Sequence, residues 1–303
     1  MMASAAGSLG GLEVDMGAPS VVRRKKIAVF LDANASAMNL ATHAASLARR
    51  WDADLVAICT VVRPILPPHL SYARGKAACQ NVAEIVRRVD TATKATARQL
   101  AADFADLCRR TQIAGQFKVT DHSEAGAQAL LQAAHADLIV VGCREVHDDT
   151  DYFCAGKALL ASGVPILVVP HAWLGDSIGE RIVIGWNSTS ESLRALSNSM
   201  SFLAQAHSVT MLVTGPESET AAAGVASDEL ARQLNGHGAR IAVHRLASWG
   251  FRRAARILGY AEQHAADLLV VSGSCRFRLT QRIFARTARK LLAQTSVPTL
   301  IST

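Results

Sequence analysis

The stretch Ala136-Asp137-Leu138-Ile139-Val140-Val141 decides the fold, because it returns as Ala266-Asp267-Leu268-Leu269-Val270-Val271, 130 positions later. Long-range self-similarity of this kind means that one supersecondary unit has been used more than once. Upstream of it, Lys26-Ile27-Ala28-Val29-Phe30-Leu31-Asp32 returns as Arg181-Ile182-Val183-Ile184-Gly185-Trp186-Asn187, 155 positions on. Downstream, Val164-Pro165-Ile166-Leu167-Val168 returns as Val297-Pro298-Thr299-Leu300-Ile301, 133 positions on. The offset first drops, so the first copy carries about 25 extra residues in its middle. It then rises by three, so the first copy is three residues shorter just after its fourth strand.

Within each copy, short apolar runs alternate with amphipathic helical patterns. The first copy predicts strands over Ile27–Leu31, Leu55–Val61, Gln116–Thr120, Leu138–Val141 and Ile166–Val169. The second predicts them over Arg181–Trp186, Val209–Thr214, Ile241–Leu246, Leu268–Ser272 and Thr299–Ser302. Near-continuous Val, Ile and Leu suits strands buried on both faces of a parallel sheet. Leu40, Ala44, Leu47 and Trp51 share one helical face, with Ser36 at the N-cap position. A long helix shows Val82, Ile85, Val86, Val89, Leu100, Phe104 and Leu107 at helical spacing; two more helices follow near 124–134 and 156–161. In the second copy, helices are expected near 191–204, 228–235, 252–264 and 280–293. Strict alternation makes each copy a doubly wound α/β unit. The expected fold class is therefore α/β, with two tandem five-stranded parallel sheets packed as a pseudo-dimer. The expected boundaries are a disordered tail over 1–23, a first domain over 24–172 and a second over 179–303. Ligands of such sheets sit beyond the C-terminal strand ends, where the strand order reverses. The residues after strands one and four of each copy are thus the ones to inspect.

Composition agrees with two globular units. The chain has 303 residues, 50 % apolar, 5 % aromatic and 19 % charged, which excludes both a disordered chain and a coiled coil. The uncharged stretch 158–175 is broken by Gly163, Pro165, Pro170 and His171, so it reads as no membrane span. Six cysteines without a C-x-x-C pair point to reduced thiols and a cytoplasmic location. The net charge of +7 raises nucleic acid as a partner. Aromatic residues are not interleaved with the basic ones, however, so stacking platforms are missing and that partner is set aside.

The strand-plus-Asp start at Asp32, the Trp186-Asn187-Ser188 start of the second copy, the Ala-Asp-Leu-[IL]-Val-Val strands and the closing Val-Pro-x-Leu strands resemble the universal stress protein family in its tandem form. The resemblance covers nearly the whole chain and implies an adenine-nucleotide alpha-hydrolase-like fold with a role in stress response. It also implies where a nucleotide would sit: an acidic residue after strand one, and a glycine loop, G-x2-G-x9-G-[ST], after strand four. Glycines there let backbone N–H groups approach phosphate oxygens. The second copy departs from that pattern. Asn187 replaces the aspartate, Ser272, Cys275 and Ala285 replace the glycines, and Arg286 stands at the hydroxyl position. The first copy keeps Asp32 and Gly142, but continues into the acidic run Arg144–Asp151, which repels a polyphosphate. The expectation is no cofactor, with ATP or AMP at Asp32 and Gly142 as the alternative.

Arg276, Arg278, Arg282, Arg286 and Arg289 form a basic stretch with no acid among 275–290. Arg282, Arg286 and Arg289 fall on one helix face. This reads either as a solvated face or as a surface for an anion or acidic partner. Cys143, His147, Asp148, Asp149, Asp151 and Cys154 match no closed zinc pattern, so no metal is expected. No nucleophile elbow, Walker lysine loop or H-E-x-x-H is present, so no catalytic residue is expected. His43, on an Ala-rich helix, reads as a packed or solvated histidine rather than a base. Ser188, Thr189 and Ser190 read as caps of the next helix. The prolines of 63–78 read as a loop that accounts for much of the extra length. The expected partners are the two copies for each other, with a homodimer and an unidentified protein left open.

Overall fold

The computed structural model describes residues 24–32, 36–61, 76–121, 135–143, 163–215, 228–235, 241–247, 252–272 and 296–302. Ten strands are among them: β1 (Lys26–Asp32), β2 (Asp54–Val61), β3 (Gly115–Asp121), β4 (Leu138–Cys143), β5 (Ile166–Pro170), β6 (Arg181–Trp186), β7 (Ser208–Gly215), β8 (Ile241–Ala247), β9 (Leu268–Ser272) and β10 (Thr299–Ser302). The helices are α1 (Ala37–Arg50), α2 (Lys76–Thr111), α3 (Ser190–Leu203), α4 (228–235) and α5 (Arg252–Gln263).

The strands form one sheet in the order β3-β2-β1-β4-β5-β10-β9-β6-β7-β8. Read from each outer edge inward, both halves follow the same order, and all pairs within a half are parallel. The two sheets expected from the repeat are thus joined edge to edge, through an antiparallel pairing of β5 with β10. Joining removes the inner edge of each half, where unpaired N–H and C=O groups would otherwise lie open. The strand order reverses between β1 and β4 and, equivalently, between β6 and β9.

Alternation along the strands sorts the core onto two faces. Ile27, Val29 and Leu31 of β1 enter one cluster with Ile182, Ile184 and Trp186 of β6, so a single core runs across both halves under α1, α2 and α3. On the opposite face, among the described residues, Ala28 enters a cluster that also takes Ile301 of β10 across the join, and Val183 enters another. The core on the α1 and α3 side makes the halves one body there.

The repeated Ala-Asp-Leu marker has a structural cause. Asp137 accepts the Lys26 amide at 2.8 Å, tying the start of β4 to the start of β1. Asp267 does the same more completely, its Oδ1 accepting the amides of Gly179, Glu180 and Arg181, each at 2.9 Å.

The end of the expected loop is placed differently from expectation. Residues 76–78 already belong to α2, which runs for 36 residues, about 54 Å at 1.5 Å per residue. Among its described side chains, Ala97, Leu100, Phe104, Leu107 and Cys108 are buried, and Glu84, Arg87, Arg88 and Val89 are exposed. Residues 76–78 thus join the helix that the apolar spacing from Val82 onward had marked. Prolines mark where a helix cannot run, but not how far upstream it starts. Residues 63–75, the acidic run, and the helices expected near 124–134, 156–161 and 280–293 lie outside the described residues.

Residues 171–180 link the halves and pass through Gly179 at φ +89. A Cβ there would lie 2.6 Å from Phe202 Cδ1. Gly179→Ala therefore combines a left-handed backbone with a clash, and is expected to cost about 2–4 kcal/mol in urea unfolding. A loss within experimental error would show that the linker can move aside. No described helix is long and apolar enough to cross a membrane.

Candidate functional site

The switch point of the first half lies where β1 and β4 end and α1 begins. Its described walls are Phe30, Ser36, Ala37, Asn39, Leu40, Gly142, Val169, Pro170 and His171, around a cavity of about 20 Å³. That is room for about one water. Gly142 pairs with Val169 of β5, and a Cβ added to it would stand 3.4 Å from His171 Nε2. The imidazole of His171, delivered by the linker, thus lies over the first glycine position. Asp32 closes β1 opposite Thr60 and so stands at the edge of the same crevice.

Ser36 departs from expectation. It occupies the N-cap of α1 with φ −89 and ψ −4, and its side chain makes no capping bond. A residue already in the right-handed helical region cannot swing its hydroxyl back to the first-turn amides as an extended N-cap does. Its Oγ instead hydrogen-bonds His171 Nδ1. The linker then follows α1 downward. Asn39 Nδ2 donates to the Trp173 carbonyl at 3.2 Å, and Arg50 Nη2 to the Ile178 carbonyl at 2.9 Å. His43 lies between them, 7 % exposed, with its ring bonded to the Trp173 backbone and its Nε2 buried without a partner. It is packed, as its helix composition suggested. Burial pushes its pKa below the ordinary 6.5, against the pull of the Trp173 backbone and of Asp176.

The second switch point is built from hydrogen bonds among its own residues. Asn187 Oδ1 accepts the Thr189 hydroxyl at 2.8 Å. Thr189 caps α3 in a reciprocal box with Ser192, as the serine and threonine run suggested. Trp186 Nε1 donates to Ser188 Oγ at 3.1 Å, and Ser188 has a left-handed φ of 55. Ser272 ends β9 beside Ser302 of β10, half-buried. Asn187 and Ser272 thus end β6 and β9, neighbouring strands of the sheet. Cys275, Arg276, Arg278, Arg282, Arg286 and Arg289 lie outside the described residues. So does most of the Cys143–Cys154 cluster; among the described residues no group of His, Cys, Asp and Glu is placed to hold a metal.

Sequence reasoning did not select His171 or Trp173 as site residues.

No family model and no curated protein matches the chain in sequence. Solved structures do match it in fold. A universal stress protein from Archaeoglobus fulgidus is 12 % identical, covers 91 % of this chain and 98 % of its own, and gives a TM-score of 0.68. A putative universal stress protein from Pseudomonas aeruginosa is 14 % identical, with coverage of 92 % and 93 % and a TM-score of 0.55. The cytoplasmic domain of a prokaryotic cation chloride cotransporter is 10 % identical, with coverage of 92 % and 95 % and a TM-score of 0.50. The chain has the fold of the universal stress proteins over most of its length.

Proposed function

We propose that the chain is a tandem universal stress protein, with domains over 24–172 and 179–303, acting in stress response through a partner or ligand and without enzymatic turnover. The observation that carries this is the paired fold, with described side chains at both switch points bonded to one another. In the first, His171 lies over Gly142, and the described walls leave about 20 Å³. In the second, Asn187 and Thr189 satisfy each other. A fold alone says little about activity. A structural neighbour of this chain is the cytoplasmic domain of a transporter, which favours a module that works on other machinery.

On this reading neither half takes ATP in the family's usual way. Equilibrium dialysis with labelled ATP is expected to show no retention at micromolar protein. Retention that vanishes in Asp32→Ala would overturn this and favour a nucleotide sensor built on the first half. Mass spectrometry of ligands that co-purify with the chain identifies any other occupant of the crevice.

A further inference from the structure

The linker is fastened along one side of α1 by Ser36, Asn39, His43 and Arg50, in the order in which their partners His171, Trp173 and Ile178 follow along the chain. Three of these fastenings are ordinary hydrogen bonds of polar side chains. The fourth is different in kind. His43 is buried, and its Nε2 has no partner, so Nδ1 is the ring atom that serves the Trp173 backbone. The neutral ring fits this place, since a lone pair without a donor costs less than a charge without an acceptor.

We propose that residues 171–178 form a pH-released strap, with His43 as its release, that holds the two halves together and keeps His171 over the first switch point. A proton added at Nε2 puts a charged donor in a position with no acceptor. The ring gains a partner only by moving toward water or toward Asp176, the charged group of the described residues that acts on it. Either movement gives up the Trp173 bond. The other titratable groups along the contact are His171 at the start of the strap, Arg50 near its end and Glu180 just beyond. Arg50 stays charged throughout, and its bond to the Ile178 carbonyl makes the far end of the strap the fixed end. The indole of Trp173 folds back on Gly175, where a Cβ would lie 2.4 Å from Cζ2, so the middle of the strap moves as one piece with its tryptophan.

The sign follows from burial. The His43 pKa is lower folded than unfolded, so its contribution to the closed strap stands above the unfolded value of 6.5. That contribution is lost as pH falls through the folded value. Above neutrality the strap is closed and indifferent to pH.

Hydrogen exchange tests this on the whole chain, with rates converted to protection factors so that intrinsic pH effects cancel. Between pH about 7.5 and about 5.5, protection over 172–178 is expected to fall several-fold, up to about tenfold, in the wild type, with the β1 and β6 amides unchanged. In His43→Gln the strap is expected to keep one protection factor across that range, and in His171→Asn the fall is expected to persist. An unchanged wild-type strap overturns the proposal. So does a fall that survives in His43→Gln, or one that vanishes in His171→Asn. If His43→Gln does not fold, the wild type answers alone: strap opening and titration of the His43 ring in histidine-labelled protein must share a midpoint. Midpoints more than about one pH unit apart overturn the assignment.

Discussion

Asp267→Ala is expected to lose about 3–5 kcal/mol of stability, because one carboxylate oxygen serves three consecutive backbone amides at the entry to β6. Asp267 is 1 % exposed and Gly179 is buried, so the Gly179 amide at least has no ready replacement in water. Burial pushes its carboxyl above the ordinary carboxylate range, while the three amides pull it down. For a protein of this size the loss corresponds to a fall in Tm on the order of 10 °C. Asp137→Ala, at the same place in the first copy, removes one bond from an exposed residue and is expected to cost about 1 kcal/mol. Asp267→Asn keeps an acceptor oxygen of the same shape and is expected to lie near the milder value. Urea unfolding with linear extrapolation measures all three. Equal losses for Asp137→Ala and Asp267→Ala would show that the linker amides find other partners, and that the asymmetry between the copies has no energetic content.

That pair of residues also shows how far the sequence could be read. The Ala-Asp-Leu marker was legible because a strand buried on both faces admits few alternatives to Val, Ile and Leu. Its aspartate recurs because the entry to the neighbouring strand needs an acceptor there. All ten strands were legible on those grounds, as was the reversal of strand order between β1 and β4, the strands that carry Asp32 and Gly142. The joining of β5 to β10 was not, since an edge strand covered by another strand reads the same as one covered by a helix. The start of α2 at Lys76 was obscured by Pro64, Pro67 and Pro68, which stop helices only at their own positions. The first switch point misled in detail. Ser36 has the right residue type and place for a cap, but its backbone angles send the hydroxyl to His171. His171 itself was visible only as a helix breaker, because long-range partners leave no local pattern. The cap at Thr189 obeyed the local rule because its backbone is extended, with φ −98 and ψ 164.

The two halves meet through a β5–β10 pairing that registers only Thr299 with Val168, Leu300 with Leu167 and Ile301 with Ile166. So short a ladder leaves much of the cohesion to the seam of side chains on the α1 and α3 side. Phe202 stands at the centre of that seam. It is fully buried, meets the Trp51 ring edge-on at 4.6 Å between centroids, and lies under the Arg50 guanidinium at 5.9 Å. Phe202→Ala is therefore expected to cost about 3–5 kcal/mol, the sum of lost transfer energy and a cavity that the packed linker at Gly179 cannot collapse into. Trp51→Ala is expected to cost less, because Trp51 is only half-buried. A double-mutant cycle between the two isolates what passes from one half to the other. A coupling of about 0.5–1.5 kcal/mol is expected for an edge-on aromatic pair. Calorimetry gives the same answer in another form. If this seam makes the halves one cooperative body, the wild type unfolds in a single transition and Phe202→Ala broadens or splits it. A coupling near zero with an unsplit transition would place the cohesion in the β5–β10 ladder instead. In that event a strap released by His43 would leave the halves joined, and its effect would be confined to the crevice under His171.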